Sequence, residues 1–175
     1  MADLVRWCFN PQLTIFFKIK ENKMLDIRVA NAESDALILA EHNCAMALET
    51  EAKLLDLEIA ILGVNGLFER SEFGFYLVAE VNATVAATLM VTYEWSDWRN
   101  GLFWWIQSVY VKPQFRRQGL YRGMYEHLKS MATQQAESVC GFRLYAETEN
   151  IGAHATYVAS GMHVCEYVMF EEATA

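Results

Sequence analysis

The chain is 175 residues long, a length that suits one domain, and its 54% hydrophobic content is ample for a core. A net charge of −8 argues against nucleic acid or an anionic membrane as main partner and fits a neutral or cationic substrate better. No apolar run approaches the roughly 18–20 residues of a membrane span, and the four cysteines (Cys8, Cys44, Cys140, Cys165) and four histidines lack metal-ligand spacing. Free thiols in a reducing cytoplasm, and no metal site, are therefore the expectation.

Residues 1–23 do not resemble the rest. The apolar patch at 13–17 (LTIFF) precedes a charged run, without the basic start and small-residue cleavage site of a signal peptide. This stretch reads as an extra edge strand or an extension outside the core, leaving 24–175 as the domain. Residues 25–30 alternate at period two and predict a strand; Asn31 to Asp35 offer helix caps, and 36–48 predict a helix. A second helix is expected over 51–62, ending near Gly63, with Asn65-Gly66 as a further turn. Residues 73–81 and 84–93 predict a hairpin turning at Asn82-Ala83. A polar loop with two tryptophans follows at 94–101, then a long strand over 102–112 closed by Pro113. The remaining elements are a helix over 119–135, a strand over 141–147, a helix over 150–160 stopped at Gly161, and a strand over 164–170. Hairpins and crossovers in one chain predict a single mixed α/β domain.

The chemistry concentrates at 106–131. An apolar strand stops at Pro113, a short basic turn follows (Phe115-Arg116-Arg117-Gln118-Gly119), and a helix begins. That junction directs unpaired backbone N–H groups and the positive end of a helix dipole at one spot, beside two forked, permanently charged arginines. It reads as a seat for a diphosphate.

Residues 111–120 (VKPQFRRQGL), together with the order of elements, resemble the GCN5-related N-acetyltransferase (GNAT) family. The family signature, Gln/Arg-x-x-Gly-x-Gly/Ala, lies at the same strand-loop-helix junction. Arg116 and Gly119 match it, and Tyr121 departs from it, standing where a small residue lets the helix start approach the cofactor; Gly123 is two places on. A second segment also fits the family: Asn150, Ala153 and Tyr157, followed by Gly161-Met162. The resemblance covers about residues 25–170.

It implies the acyl-CoA acyltransferase fold, a central, mostly antiparallel, splayed sheet flanked by helices, with acetyl-CoA as co-substrate. Carried over residue by residue, Val109, Tyr110 and Val111 would pair with the pantetheine arm. Arg116 and the backbone of Arg117, Gln118, Gly119, Leu120, Tyr121 and Arg122 would hold the diphosphate. Asn150 would contact the arm, and Tyr157 would give a proton to the leaving sulfur. For the base, Glu94, Glu147 and the Glu49/Glu51 pair are all candidates. The implied function is acetyl transfer to a primary amine of a small molecule or peptide. The acidic charge and the acidic-aromatic loop (Glu94, Trp95, Asp97, Trp98) favour a small cationic amine. The rival expectation is a catalytically weak acyl-CoA-binding module of the same fold. A homodimer is the expected assembly, and neither nucleic acid nor a membrane is an expected partner.

Overall fold

A computed structural model describes residues 15–19 and 23–174. Cys8 and the start of the apolar patch at 13–17 lie outside the described residues. Among the described residues six strands form one sheet in sequential order. They are β1 (Ile15–Ile19), β2 (Lys23–Val29), β3 (Gly74–Val81), β4 (Thr84–Ser96), β5 (Gly101–Val111) and β6 (Val139–Arg143). Neighbours pair antiparallel except β5 and β6, which are parallel. The helices are α1 (Ala32–Glu51), α2 (Leu57–Phe68), α3 (Leu120–Ala132) and α4 (Ile151–Ala159). The expected mixed α/β architecture is present. Among the described residues no helix is long and apolar enough to cross a membrane.

Period-two alternation distributes the core to both faces of the sheet. Tyr76 and Val78 of β3 pack on Leu39 and Ala40 of α1 and Val64 of α2. On the opposite face, Leu25 and Ile27 of β2 meet α3 at Gly123, where an added Cβ would lie 3.3 and 3.2 Å from their methyl groups. Gly123 therefore serves close helix-sheet packing. The hairpin turn is where expected: Asn82 and Ala83 both adopt positive φ, 50° and 59°, as a two-residue turn matching the strand twist requires.

A charged network joins β2 to α1. Arg28 donates to both oxygens of Asp35, at 2.6 and 3.0 Å, and to Glu80 on the neighbouring strand. Asp35 is buried and also accepts the N–H of Asn31 at 2.7 Å. Asn31 in turn caps α1 through the Glu33 N–H, so strand end, cap and first helical turn are tied together.

Several elements differ from expectation. Helix α1 is longer than the expected 36–48, and β6 is Val139–Arg143 in place of the expected 141–147, so that Glu147 lies beyond the strand. Three further differences have a clear cause. The second helix begins at the Asp56 cap, which accepts from the N–H groups of Glu58 and Ile59, and runs through Gly63, Asn65 and Gly66 to Phe68. Burial of Val64, with Leu67 and Phe68 packed on the same cluster, outweighs the roughly 1 kcal/mol that each helical glycine costs. Strand β4 continues through Glu94 and Trp95 to Ser96, because both residues keep pairing with β5, and only Asp97–Asn100 remain as the loop. Residues 164–170 form no strand; among the described residues they have no ladder partner, and alternation alone does not make one.

The chain forms two compact units, one running to Tyr145 and one from Ala146. Within the second, Asn150 caps α4, and its C-terminus closes on Gly161 at φ 92°. There Gly161 N–H bonds to Val158 O and Met162 N–H to Tyr157 O, the paired bonds of a left-handed helix stop.

Candidate active site

The site in the first unit is built on β5. Its parallel pairing with β6 ends at Trp105 and Arg143, so within this unit residues 106–111 are laddered on the β4 side only. The strand also carries a bulge. Thr88 pairs with Tyr110 and Met90 with Gln107, leaving Ser108 and Val109 opposite Leu89 alone, with Ser108 at φ 49°. Beyond it, Lys112 donates its N–H to Ala86 O. By alternation Tyr110 also faces β4, while Val109 and Val111 turn their backbone groups to the open edge.

Pro113–Phe115 form one 3-10 turn, and the chain then passes through Arg117 at φ 62° and Gly119 at φ 86° into α3. Nothing lies within 4 Å of a Cβ placed at Gly119, so glycine is required for its backbone angle, not for space. Helices α1, α2 and α4 each begin under a side-chain cap; α3 has none. Its first internal bond is Gly123 N–H to Gly119 O, and the N–H groups ahead of that bond, those of Leu120 and Arg122 among them, open towards the loop. Arg117 and Arg122 are exposed and take part in no ion pair among the described residues. Gln118 donates from its amide to Gln114 O, closing the loop on itself. The Tyr121 ring is buried and stacks on Tyr125, with centroids 6.1 Å apart and planes 6° from parallel, so its bulk is directed into the core. An anion-accepting helix start and an open strand edge lie at the two ends of one short loop, which fits a diphosphate carrying an amide-bearing arm.

Arg116 is used differently from the expectation. Its guanidinium grips both oxygens of Glu49 at 2.6 Å, and its Nε donates to Val111 O at 2.8 Å. This pairing holds the Glu49 carboxyl below the usual carboxylate range. Near it, the buried ring of His42 places Nδ1 3.1 Å from Thr88 Oγ1 and its centroid 5.0 Å from that of Tyr110. Burial, then the positive charge of Lys112, pushes His42 down to about 4. The unfolded value is about 6.5, so this histidine's contribution to stability is complete above that pH and is lost as pH falls towards 4. Urea melts at stepped pH should show that decline, and His42→Gln should flatten it.

At the other end of β5, Glu94 accepts from the Trp105 indole N–H and, at 2.8 Å, from Arg143. Arg143 lies over the Phe103 ring at 3.7 Å, Tyr145 donates to Gln107 at 3.3 Å, and Gln107 donates to Thr92 at 2.5 Å. Both Glu94 oxygens are thus occupied by donors. In the second unit, Asn150 spends its side-chain oxygen on the Ala153 N–H at 3.1 Å. The Glu147 carboxylate is exposed, while its carbonyl accepts from Asn150 N–H and the His154 ring. Tyr157 is half-buried, and burial raises its hydroxyl above the ordinary value near 10.

The structure brings Val109, Val111, Arg116 to Arg122 and the α3 start into one stretch, and sets Glu94 apart at the far end of the strand. Sequence reasoning did not pick out His42 and Gln107. His42 follows Leu39 by three on the core-facing stripe of a helix, and Gln107 shares a strand face with Trp105; those spacings were the available signals.

The model of the acetyltransferase (GNAT) family matches residues 26–162. A possible acetyltransferase from Clostridium difficile 630 shares 42% identity and superposes with a TM-score of 0.79, over 86% of this chain and 98% of that one. A predicted acetyltransferase with acetyl-CoA from Clostridium acetobutylicum gives 0.68 at 18% identity, covering 85% and 96%. Glucosamine-6-phosphate N-acetyltransferase from Arabidopsis thaliana gives 0.65 at 20% identity, covering 85% and 97%; these last two likenesses concern the fold. No curated protein sequence matches. The chain belongs to the GNAT acetyltransferase family. It is an N-acetyltransferase that uses acetyl-CoA.

Proposed function

We propose that the enzyme acetylates the primary amine of a small cationic molecule by direct attack on the thioester. The observation that carries the cofactor part is the uncapped start of α3 behind Gly119, joined by one loop to the open edge of β5. Acetyl-CoA supplies the acetyl group as a thioester, a carbonyl open to a neutral amine. The N–H groups from Arg117 to Arg122 hold the diphosphate, and Arg117 and Arg122 supply the charge. Val109, and Val111 through its N–H since its carbonyl accepts from Arg116, pair with the arm, and a backbone N–H of this open half meets the developing oxyanion. The family resemblance assigns Asn150 to the arm.

Tyr157 gives a proton to the departing sulfur; its raised value keeps the hydroxyl protonated at neutral pH. Among the carboxylates considered for the base, Glu49, Glu51 and Glu94 are each ion-paired. Glu147 has no ion pair among the described residues, and we assign it the base, acting directly or through one water. The net charge of −8 and the exposed Trp95 and Trp98 beside Asp97 support a cationic acceptor. The same reading takes the protein as a cytoplasmic homodimer.

Thiol release from acetyl-CoA against a panel of polyamines, amino-acid derivatives, aminocyclitols and an N-terminal peptide tests the assignment. At least one cationic small amine should turn over, and Tyr157→Phe should lower kcat about 100-fold with little change in the acetyl-CoA KM. A protein that binds CoA yet releases no thiol with any amine would be a binding module instead.

A further inference from the structure

We propose that the second half of α1 braces the cofactor strand, and that Glu49 and His42 are positioning residues for acetyl-CoA. The inference rests on the reading in which the open half of β5 takes the pantetheine arm.

Two features leave that half of β5 poorly held by the sheet itself. Pairing with β6 stops at Trp105, and the bulge at Ser108-Val109 interrupts the register with β4 just before the residues that matter. A one-sided strand with a discontinuity twists and bends readily. The missing restraint comes from α1. Thr88 and Tyr110 are the first partners beyond the bulge, and the single side chain of His42 touches both. Seven residues later, two turns along the same helix face, Glu49 holds the Arg116 fork. Arg116 Nε holds Val111 O, and its guanidinium lies 5.8 Å from the Tyr110 ring.

Arg116 is consequently a strut. Its charge is matched by Glu49, and three of its nitrogens are already bonded. The unmatched charge beside the α3 start belongs to Arg117 and Arg122. The brace fixes the spacing between the open edge at Val109 and Val111 and the helix start at Gly119. A cofactor touching both ends then needs no ordering of the loop on binding.

The test is Glu49→Gln, which keeps the shape of a partly exposed side chain and removes its charge. In the ligand-free protein, amide hydrogen exchange over 109–119 should speed up. The calorimetric Kd for CoA and the KM for acetyl-CoA should each rise about five-fold, with kcat kept within about two-fold. Arg116→Gln should give the same loss, and the double variant should be no worse than either single one. Thr88→Val, which removes the hydroxyl facing His42, should raise KM in the same way. Tighter CoA binding in Glu49→Gln would overturn the inference, because Glu49 would then be competing with the phosphates for Arg116. A fall in kcat at saturating acetyl-CoA would overturn it in favour of a base, and unchanged exchange and Kd would overturn it outright. Wild-type protein that fails to bind CoA would instead refute the cofactor reading, and the exchange measurement would still decide whether α1 restrains the strand.

Discussion

Gly119→Glu combined with Arg117→Ala is expected to abolish CoA binding while leaving a folded protein. At φ 86° a non-glycine residue costs about 1–2 kcal/mol, and the open space around this position adds no clash. For a chain of this size that corresponds to a fall in Tm of about 2–8 °C. The effect on binding is much larger. A carboxylate about 5 Å from a phosphate, at an effective dielectric constant near 20, opposes it by about 3 kcal/mol per charge, which exceeds a 100-fold loss. Arg117→Ala removes one attractive charge as well. Calorimetry with CoA and a thermal melt of the same sample separate the two effects. Unchanged binding contradicts the phosphate seat, and an unfolded protein shows instead that the loop conformation is needed for folding.

Arg28→Met is expected to lower stability by roughly 3–5 kcal/mol. It leaves Asp35, buried at 2% exposure, and Glu80 as neighbouring carboxylates without their cation. Burial by itself would raise the Asp35 pKa, but the bonds from Arg28 and the Asn31 N–H outweigh it, and the net position is below the ordinary carboxylate value. Its contribution is therefore fully present above about pH 4 and is lost as the pH falls through the lower folded value. Equilibrium urea unfolding at neutral and acid pH checks both statements: Arg28→Met should lose most of its deficit relative to wild type as the pH is lowered through this range. A deficit independent of pH would assign the damage to lost packing of the arginine stem.

Much of the fold was legible because it rests on local rules. Period two marked β2, the turn at Asn82-Ala83 marked the β3–β4 hairpin, Pro113 closed β5, and Asn150 and Gly161 marked the two ends of α4, while α1 starts four residues ahead of the expected 36, directly behind Asn31. The failures came where tertiary burial overrode local preference. Gly63 and Gly66 read as helix breakers, yet they lie inside α2 because Val64 and its neighbours are anchored in the core. The site divides in the same way. Contiguous features, the loop and the α3 start, could be read from residues 106–122. The role of Arg116 could not, since its partner Glu49 is 67 positions away. Nothing local distinguishes an arginine that binds phosphate from one that ties a helix to a strand. Tyr121, read as an obstacle at the cofactor, turned out to be a core residue stacked on Tyr125.

The bulge in β5 makes the number of residues in that strand matter more than their identity. Val109 and Val111 meet the open edge through peptide groups, which every residue except proline carries in full. Trp105, Gln107 and Tyr110 all keep β4 partners, and the one extra residue between the last two is absorbed by the bulge. Take that residue out, and the ladder closes up with Tyr110 still opposite Thr88 and Val111 still outward: the direction of the groups survives, and the bend in the open edge is lost. The curvature of the cofactor edge is therefore set by a single surplus residue.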